Sequence, residues 1–155
     1  MGTTTAAEAI LAGIRSWVEI ESQTADRDGV NRAMTKAAED YAAIGAKVDR
    51  IPGRDGLGDH LSIRMPWGGD GPGILVLCHL DTVHPKGTLA RDLPFRVEGD
   101  KAYGPGIYDM KGGAYLPLVA LTEIAAAGRR TPLPIRLLYL SDEEIGSPSS
   151  RALIE

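Results

Sequence analysis

Several features are scarce or absent in this 155-residue sequence, and each absence excludes a class of protein. Its single cysteine, Cys78, cannot form a disulfide framework, which suits a reducing compartment. No run approaches the roughly 18 apolar residues of a membrane-spanning helix. The start, MGTTTAAEAILAG, has no positive charge and is interrupted by Glu8, which predicts no signal peptide. Basic residues are in slight deficit, 17 against 21 acidic ones, and no block of like charges occurs, which argues against nucleic acid or an anionic membrane as a partner. We therefore expect a cytoplasmic protein.

The composition and the apolar spacing indicate one globular domain. Hydrophobic residues make up 43% and charged residues 25%, as in ordinary folded proteins. Apolar residues at helical spacing predict helices over residues 6–20, 31–44 and 113–128, whereas shorter apolar or alternating runs predict strands near 47–51, 61–66, 74–78 and 134–140, with 74–78 buried, and a hairpin over 94–104. The alternation of strands and helices predicts an α/β fold with a mixed, largely parallel sheet flanked by helices.

Three groups of polar residues stand where ligands bind in open α/β sheets, beyond the carboxyl ends of strands. His79 and Asp81 follow the apolar run 74–78, and Asp109 lies in the glycine-rich segment YGPGIYDMKGG. Glu143 and Glu144 follow the run 134–140. Each group alone also fits a simpler interpretation: a surface histidine beside an aspartate, a helix-capping aspartate, or a solvated acidic loop.

Together the three groups favour a metal site. His79 and Asp81 share one side of an extended segment, and a metal-bound imidazole commonly gives its second N–H to a carboxylate. Asp109 at a glycine-rich turn could bridge two cations. Of two adjacent glutamates, one could coordinate while the other carries a proton. Several clustered carboxylates need neutralising cations, and imidazole with carboxylates favours zinc, with manganese or cobalt possible.

The segments HLDTVHP, AYGPGIYDMKGG and LSDEEIGSPSSR resemble those of metallopeptidase family 20, the co-catalytic zinc exopeptidases and amidohydrolases. The linking segment KGTLARDLPFRVEGDKAYGPGI is most similar to the glutamate carboxypeptidase branch. The resemblance implies a metal-dependent hydrolase with two zinc ions that cleaves the amide bond of a C-terminal amino acid. Its substrate would be a small peptide or an N-acyl amino acid.

The resemblance also implies a role for each residue. His79 would bind the first metal, Glu144 the second, and Asp109 would bridge both. Glu143 would be the general base, and Asp81 would orient His79. A cis peptide bond is implied between Asp109 and Met110.

Parts of the family pattern have no counterpart in residues 1–155: a further acidic ligand, a histidine ligand, and the lid domain through which the complete protein is expected to form a homodimer. We therefore expect residues 1–155 to be the N-terminal part of a catalytic domain, weakly active or inactive alone. Two alternatives stay open: an aminoacylase or dipeptidase of the same family, and a non-catalytic truncated chain.

Five other residues are given lesser roles. Cys78 is expected to be a buried thiol, because adjacent side chains in a strand diverge and it cannot pair with His79. His84 is expected near the site mouth, and His60 at the surface or at a strand start. Lys111 is expected to balance acidic charge, and Asp142 to tune the glutamates that follow it.

Overall fold

A computed structural model describes residues 6–155. Residues 1–5, which begin the segment in which we predict no signal peptide, lie outside the described residues. The helices are α1 (Ala6–Val18), α2 (Arg27–Ala43), α3 (Thr88–Arg91), α4 (Gly112–Ala126) and α5 (Arg151–Ile154). The strands are β1 (Lys47–Ile51), β2 (His60–Arg64), β3 (Ile74–His79), β4 (Arg96–Glu98), β5 (Lys101–Tyr103) and β6 (Ile135–Leu140). Among these elements, no helix has the length and apolar character needed to cross a membrane.

Four strands form one sheet in the order β1-β2-β6-β3, and β4 with β5 form the predicted hairpin. The predicted mixed α/β sheet is confirmed. However, only the β3–β6 pairing is parallel, while β1–β2 and β2–β6 are antiparallel, so the described sheet is not largely parallel. The physical reason is connection length. Residues 52–59 join β1 to β2 without a helix, whereas a parallel neighbour needs a crossover of a dozen or more residues, such as the one that contains α4 between β3 and β6.

Strand β3 lies at an edge of the sheet, so the prediction of a fully buried strand is wrong for its first part. Ile74, Leu75 and Leu77 are 46%, 60% and 43% exposed. Only Cys78 and His79, at the carboxyl end, are buried. An apolar sequence alone cannot distinguish an edge strand from a central one, because it does not specify which neighbours are present.

Helix α2 begins four residues before the predicted start at Asn31. The side chain of Asp26 accepts a hydrogen bond from the Gly29 backbone N–H at 3.2 Å and so caps the helix. Gly29 lies inside the helix, where a Cβ would stand 2.6 Å from the carbonyl oxygen of Glu21. Gly29 is therefore needed for the close packing of this helix turn against Glu21.

The core lies between the sheet and helices α1, α2 and α4, and a chain of buried hydroxyls crosses it. The Tyr139 hydroxyl on β6 donates to the Ala114 carbonyl on α4 at 2.6 Å, and therefore accepts from the Tyr41 hydroxyl on α2 at 2.8 Å. Trp17 on α1 packs edge-on against the Tyr139 ring. The Tyr139–Ala114 bond fixes the carboxyl end of β6 relative to the start of α4, where the candidate site residues lie, whereas the Tyr41 bond joins β6 to α2.

Candidate metal centre

His79 is the last residue of β3, and its ring is held between two aspartates. Its Nδ1 lies 3.1 Å from the Asp81 carbonyl oxygen and 3.4 Å from Asp81 Oδ1, while its Nε2 lies 3.0 Å from Asp109 Oδ1. Burial opposes the charged ring, but the hydrogen bonds and negative charge of Asp81, with the bond to Asp109, raise the pKa of His79 to about 9. A metal ion at Nε2 would have to displace the proton there, since imidazole binds metals in its neutral form.

Asp81 is fully buried and contacts both halves of the site. Its carboxylate accepts hydrogen bonds from the Thr24 hydroxyl at 2.8 Å and from the backbone N–H groups of Glu143 and Glu144, each at 3.2 Å. The same carboxylate thus lies beside the His79 ring and accepts hydrogen bonds from the backbone of the glutamate pair. The sequence predicts only the first of these contacts. Thr24 carries no recognisable motif, which is why sequence reasoning missed it.

Asp109 stands in a π-helical turn, Ile107–Lys111, that leads into α4. The peptide bond between Asp109 and Met110 is cis, as the family resemblance implies. The turn packs closely on the loop that follows β3, because a Cβ at Gly106, whose φ is +69°, would lie 2.4 Å from Thr82 Cγ2. The Asp109 side chain is 68% exposed and reaches His79 from the solvent side.

The glutamate pair begins the short 3-10 turn Glu143–Ile145 after β6. Glu143 Oε2 lies 3.7 Å from His79 Nε2, and this side chain is half exposed. Glu144 points into the cluster. Burial, followed by the negative charges of Asp109, Asp81 and Glu143, raises the pKa of Glu144 against the opposing effect of His79.

The structure thus brings together all five residues predicted for the site. One ligand atom each from His79, Asp109 and Glu144 can lie within 4.8 Å of the others, so these three residues could hold a metal ion. One imidazole nitrogen and two carboxylate oxygens are donors that suit zinc, manganese or cobalt. The separate roles of Glu143 and Asp81 stay predictions.

A cleft of about 770 Å³ opens beside the cluster, and Asp109 and Glu144 form part of its wall. His84 lines this cleft, in agreement with its expected place near the site mouth, and the fully exposed Tyr108 ring lines it too. A substrate group in the cleft would lie next to both carboxylates.

Cys78 and Lys111 are buried beside the site. Burial raises the pKa of Cys78 to about 11, so the thiol is not a thiolate nucleophile at neutral pH. The Lys111 ammonium donates to the Ile20 carbonyl oxygen at 2.6 Å. Burial lowers the pKa of Lys111 to about 8 against the charges of Glu21 and Asp81. This placement agrees with a charge-balancing role for Lys111.

The expectation that His60 is a surface residue is wrong. His60 begins β2, as one alternative had it, but it is only 1% exposed and is not a surface residue. The preceding sequence, GLGD, suggests an open loop, whereas the loop after β6 covers the ring. Asp142 is also buried, and its carboxylate bonds to Ser149 and Ser150.

A sequence model of peptidase family M20/M25/M40 matches residues 75–155, which is more than half of the chain and includes all five site residues. The chain belongs to this family. It is 40% identical over 149 residues to carboxypeptidase G2 of Pseudomonas sp. (strain RS-16), covering 95% of this chain and 35% of that protein. It is 34% identical over 149 residues to succinyl-diaminopimelate desuccinylase of Methylobacterium sp. (strain 4-46), covering 93% of this chain and 36% of that protein.

Solved structures agree on the fold. An M20 family metallo-carboxypeptidase from Sulfolobus solfataricus superimposes with a TM-score of 0.79 at 20% identity, covering 94% of this chain and 33% of that one. Human carnosine dipeptidase 1 superimposes with a TM-score of 0.78 at 23% identity, covering 95% of this chain and 34% of that one. The chain spans about a third of the length of the relatives it matches.

Proposed function

We propose that residues 1–155 are the N-terminal part of the catalytic domain of a metal-dependent hydrolase that releases a C-terminal amino acid by cleaving its amide bond. The observation that carries this proposal is the convergence of His79, Asp109 and Glu144 at the carboxyl ends of β3 and β6, with Glu143 beside them. Membership of a peptidase family and the adjoining cleft support it.

The metal is proposed to be zinc, two ions in the complete site, with manganese or cobalt as substitutes. His79 would hold one ion, Glu144 the other, and the Asp109 carboxylate would contribute to both. Bound ions of this kind polarise a carbonyl oxygen and lower the pKa of a water molecule.

The remaining chemistry is assigned to residues of this chain. The Glu143 carboxylate takes a proton from the attacking water as the new carbon–oxygen bond forms. It then gives the proton to the amide nitrogen as the carbon–nitrogen bond breaks, so that a carboxylate and an amine leave. Such acid–base help is worth about 10²–10⁴ in rate. Asp81 keeps the His79 ring in one orientation through Nδ1.

The substrate is proposed to be a small peptide or an N-acyl amino acid whose released residue is glutamate. The resemblance of segment 86–107 to the glutamate carboxypeptidase branch supports glutamate, and the 40% identity to carboxypeptidase G2 supports release of a C-terminal residue. The similarity to a desuccinylase at 34% identity favours a second candidate, hydrolysis of another N-acyl amino acid or of a dipeptide. A panel of N-acyl amino acids that differ only in the released residue would separate the two.

The placement within a longer domain has its own support. The chain spans about a third of its relatives, and the edge strand β3 exposes apolar side chains that further strands could cover. The complete protein is proposed to dimerise through a lid domain outside residues 1–155, and residues 1–155 alone to be weakly active or inactive. A cytoplasmic location is proposed as well, which the single buried cysteine supports.

The test begins with zinc bound per chain, measured by elemental analysis after dialysis, for the parent chain and for Asp109→Ala. The matched control is Asp100→Ala, which removes an exposed aspartate from the turn between β4 and β5. We expect the parent and the control to bind zinc weakly and to retain more of it than Asp109→Ala. A parent with retained zinc is then assayed for glutamate release from an N-acyl glutamate. A folded parent that retains no zinc would contradict a metal site formed by these residues alone.

A further inference from the structure

Two ends of one loop meet at the ring of His60. The loop 141–149 follows β6, carries Glu143 and Glu144 at the candidate metal centre, and ends beside His60, the first residue of β2. The Ser141 backbone N–H donates to His60 Nδ1 at 3.2 Å, and His60 Nε2 lies 3.1 Å from the Ser149 hydroxyl oxygen. The imidazole therefore joins the start of the loop to its end, with both glutamates in between.

The hydrogen bonds define which ring nitrogen carries the proton. His60 Nδ1 accepts from the Ser141 N–H, and the Ser141 hydroxyl donates to the Gly58 carbonyl at 2.6 Å and has no proton left for the ring. A neutral ring that accepts at Nδ1 carries its proton on Nε2. Nε2–H therefore donates to the Ser149 oxygen, which also accepts from the Arg54 backbone N–H at 2.8 Å.

This arrangement excludes a serine nucleophile at Ser149, although a serine, a histidine and an aspartate lie close together. A catalytic histidine must accept the serine proton at Nε2 and donate from Nδ1 to the aspartate. His60 does the opposite on both sides. The Asp142 carboxylate bonds to the backbone N–H groups of Ser149 and Ser150 and to the Ser150 hydroxyl, and not to the ring.

The same loop is held on its other side by Asp81. The Asp81 carboxylate accepts from the Glu143 and Glu144 N–H groups at the metal side, whereas His60, Ser149 and Asp142 act at the far side. All four of these side chains are buried, so water does not compete for their hydrogen bonds. The loop that carries the two glutamates is therefore held by buried hydrogen bonds on both of its sides.

We propose that His60 is a positioning residue that, through Ser141 and Ser149, holds the loop in the conformation in which Glu144 converges with His79 and Asp109 at the metal centre. The inference rests on the proposed function for the metal itself. It assigns a role to a residue that touches neither metal nor substrate.

The experiment compares zinc affinity in the parent chain, His60→Leu, His60→Asn and Ser149→Ala, by competition with a weak chromophoric chelator. Tyr41→Phe is the matched control, because it removes an equally buried hydrogen bond from the core without touching the loop. We expect His60→Leu to weaken zinc binding about tenfold, the lower end of the range for groups that support metal ligands. His60→Asn keeps an acceptor near Ser141 and should recover part of that loss. The double variant His60→Leu/Ser149→Ala should lose less than the sum of the two single losses, because both changes break the His60–Ser149 bond and only Ser149→Ala also removes the acceptor of the Arg54 N–H.

Amide hydrogen exchange in the metal-free chain gives a second readout. The amides of Glu143 and Glu144 should exchange faster in His60→Leu and Ser149→Ala than in the parent. Their exchange rates in Tyr41→Phe should equal those of the parent. If exchange is faster but the parent binds no zinc, the metal site is refuted while the role of His60 in holding the loop stands. Folded His60 variants with parental zinc affinity and parental exchange would overturn the inference and leave the metal site intact.

Discussion

Replacing Asp81 by asparagine is expected to weaken both the metal site and the fold, although the two side chains have nearly the same shape. In the structure Oδ1 accepts from the Glu143 N–H and lies 3.4 Å from His79 Nδ1, while Oδ2 accepts from the Thr24 hydroxyl and the Glu144 N–H. Asparagine has one oxygen and one NH₂ group. Whichever way its amide is turned, the NH₂ faces the backbone N–H of one of the two glutamates.

The size of the effect follows from these contacts. A buried N–H left without an acceptor costs about 1–3 kcal/mol, and hydrogen bonds to a charged acceptor contribute about 1.5–3 kcal/mol each. We therefore expect Asp81→Asn to lower the free energy of unfolding by about 2–4 kcal/mol. Zinc affinity should fall about ten- to hundredfold, as for other partners that orient a metal-bound histidine.

The assay pairs urea unfolding with zinc competition, both at pH 7.5, and uses Asp49→Asn as the control. Asp49 is an exposed aspartate on β1 whose ion pair with Lys47 is largely solvated, so its replacement should change neither quantity appreciably. Parental zinc affinity in a folded Asp81→Asn chain would refute the reasoning that Asp81 orients His79 and holds the glutamate pair.

Three further predictions concern the rest of the chain. Burial lowers the pKa of His60 below its ordinary 6.5 against the charges of Asp142 and Asp59, so the unfolded state binds the proton more tightly. The free energy of unfolding should therefore fall as pH drops below about 6.5, and urea titrations should show a smaller fall for His60→Asn. Exposed β3 should promote self-association, which Leu75→Lys should reduce in sedimentation velocity; a monomeric parent at high concentration would contradict this. Met34→Ala, in the fully buried core, should cost about 2–5 kcal/mol of unfolding free energy but leave zinc affinity unchanged.

Much of the fold was predictable because local patterns dominate it. The strand at residues 47–51 matches β1, and the hairpin over 94–104 contains β4 and β5, which are joined by a turn at residues 99 and 100. The helix predicted over 113–128 matches α4 within two residues. In each case the apolar spacing and the turn residues agree with the final structure. The five site residues were predictable for a different reason, since they belong to short segments that resemble one family.

The parts that sequence reasoning missed depend on contacts between distant segments. His60 is covered by Ser141 and Ser149, which lie more than 80 residues away along the chain. Thr24 contacts Asp81 across 57 residues. No local pattern marks such a pairing, because serine and threonine are as common in solvated loops as in buried networks. The exposure of β3 was missed for the same reason, as it depends on which strands are present beside it.

The centre is asymmetric in a way that bears on how tightly it can bind a metal. The side chains of His79 and Asp81 are buried, whereas those of Asp109 and Glu143 are 68% and 51% exposed. The imidazole is therefore fixed before any ion arrives, while water and salt screen the carboxylates that would attract the ion. The raised pKa of Glu144 reflects crowding of negative charge that a cation would relieve. Covering the solvent side of Asp109 and Glu143 would lower the local dielectric constant and strengthen their attraction for a cation. Residues 6–155 thus supply an oriented histidine and converging carboxylates, and polypeptide that covers the cleft would turn a weak site into a tight one.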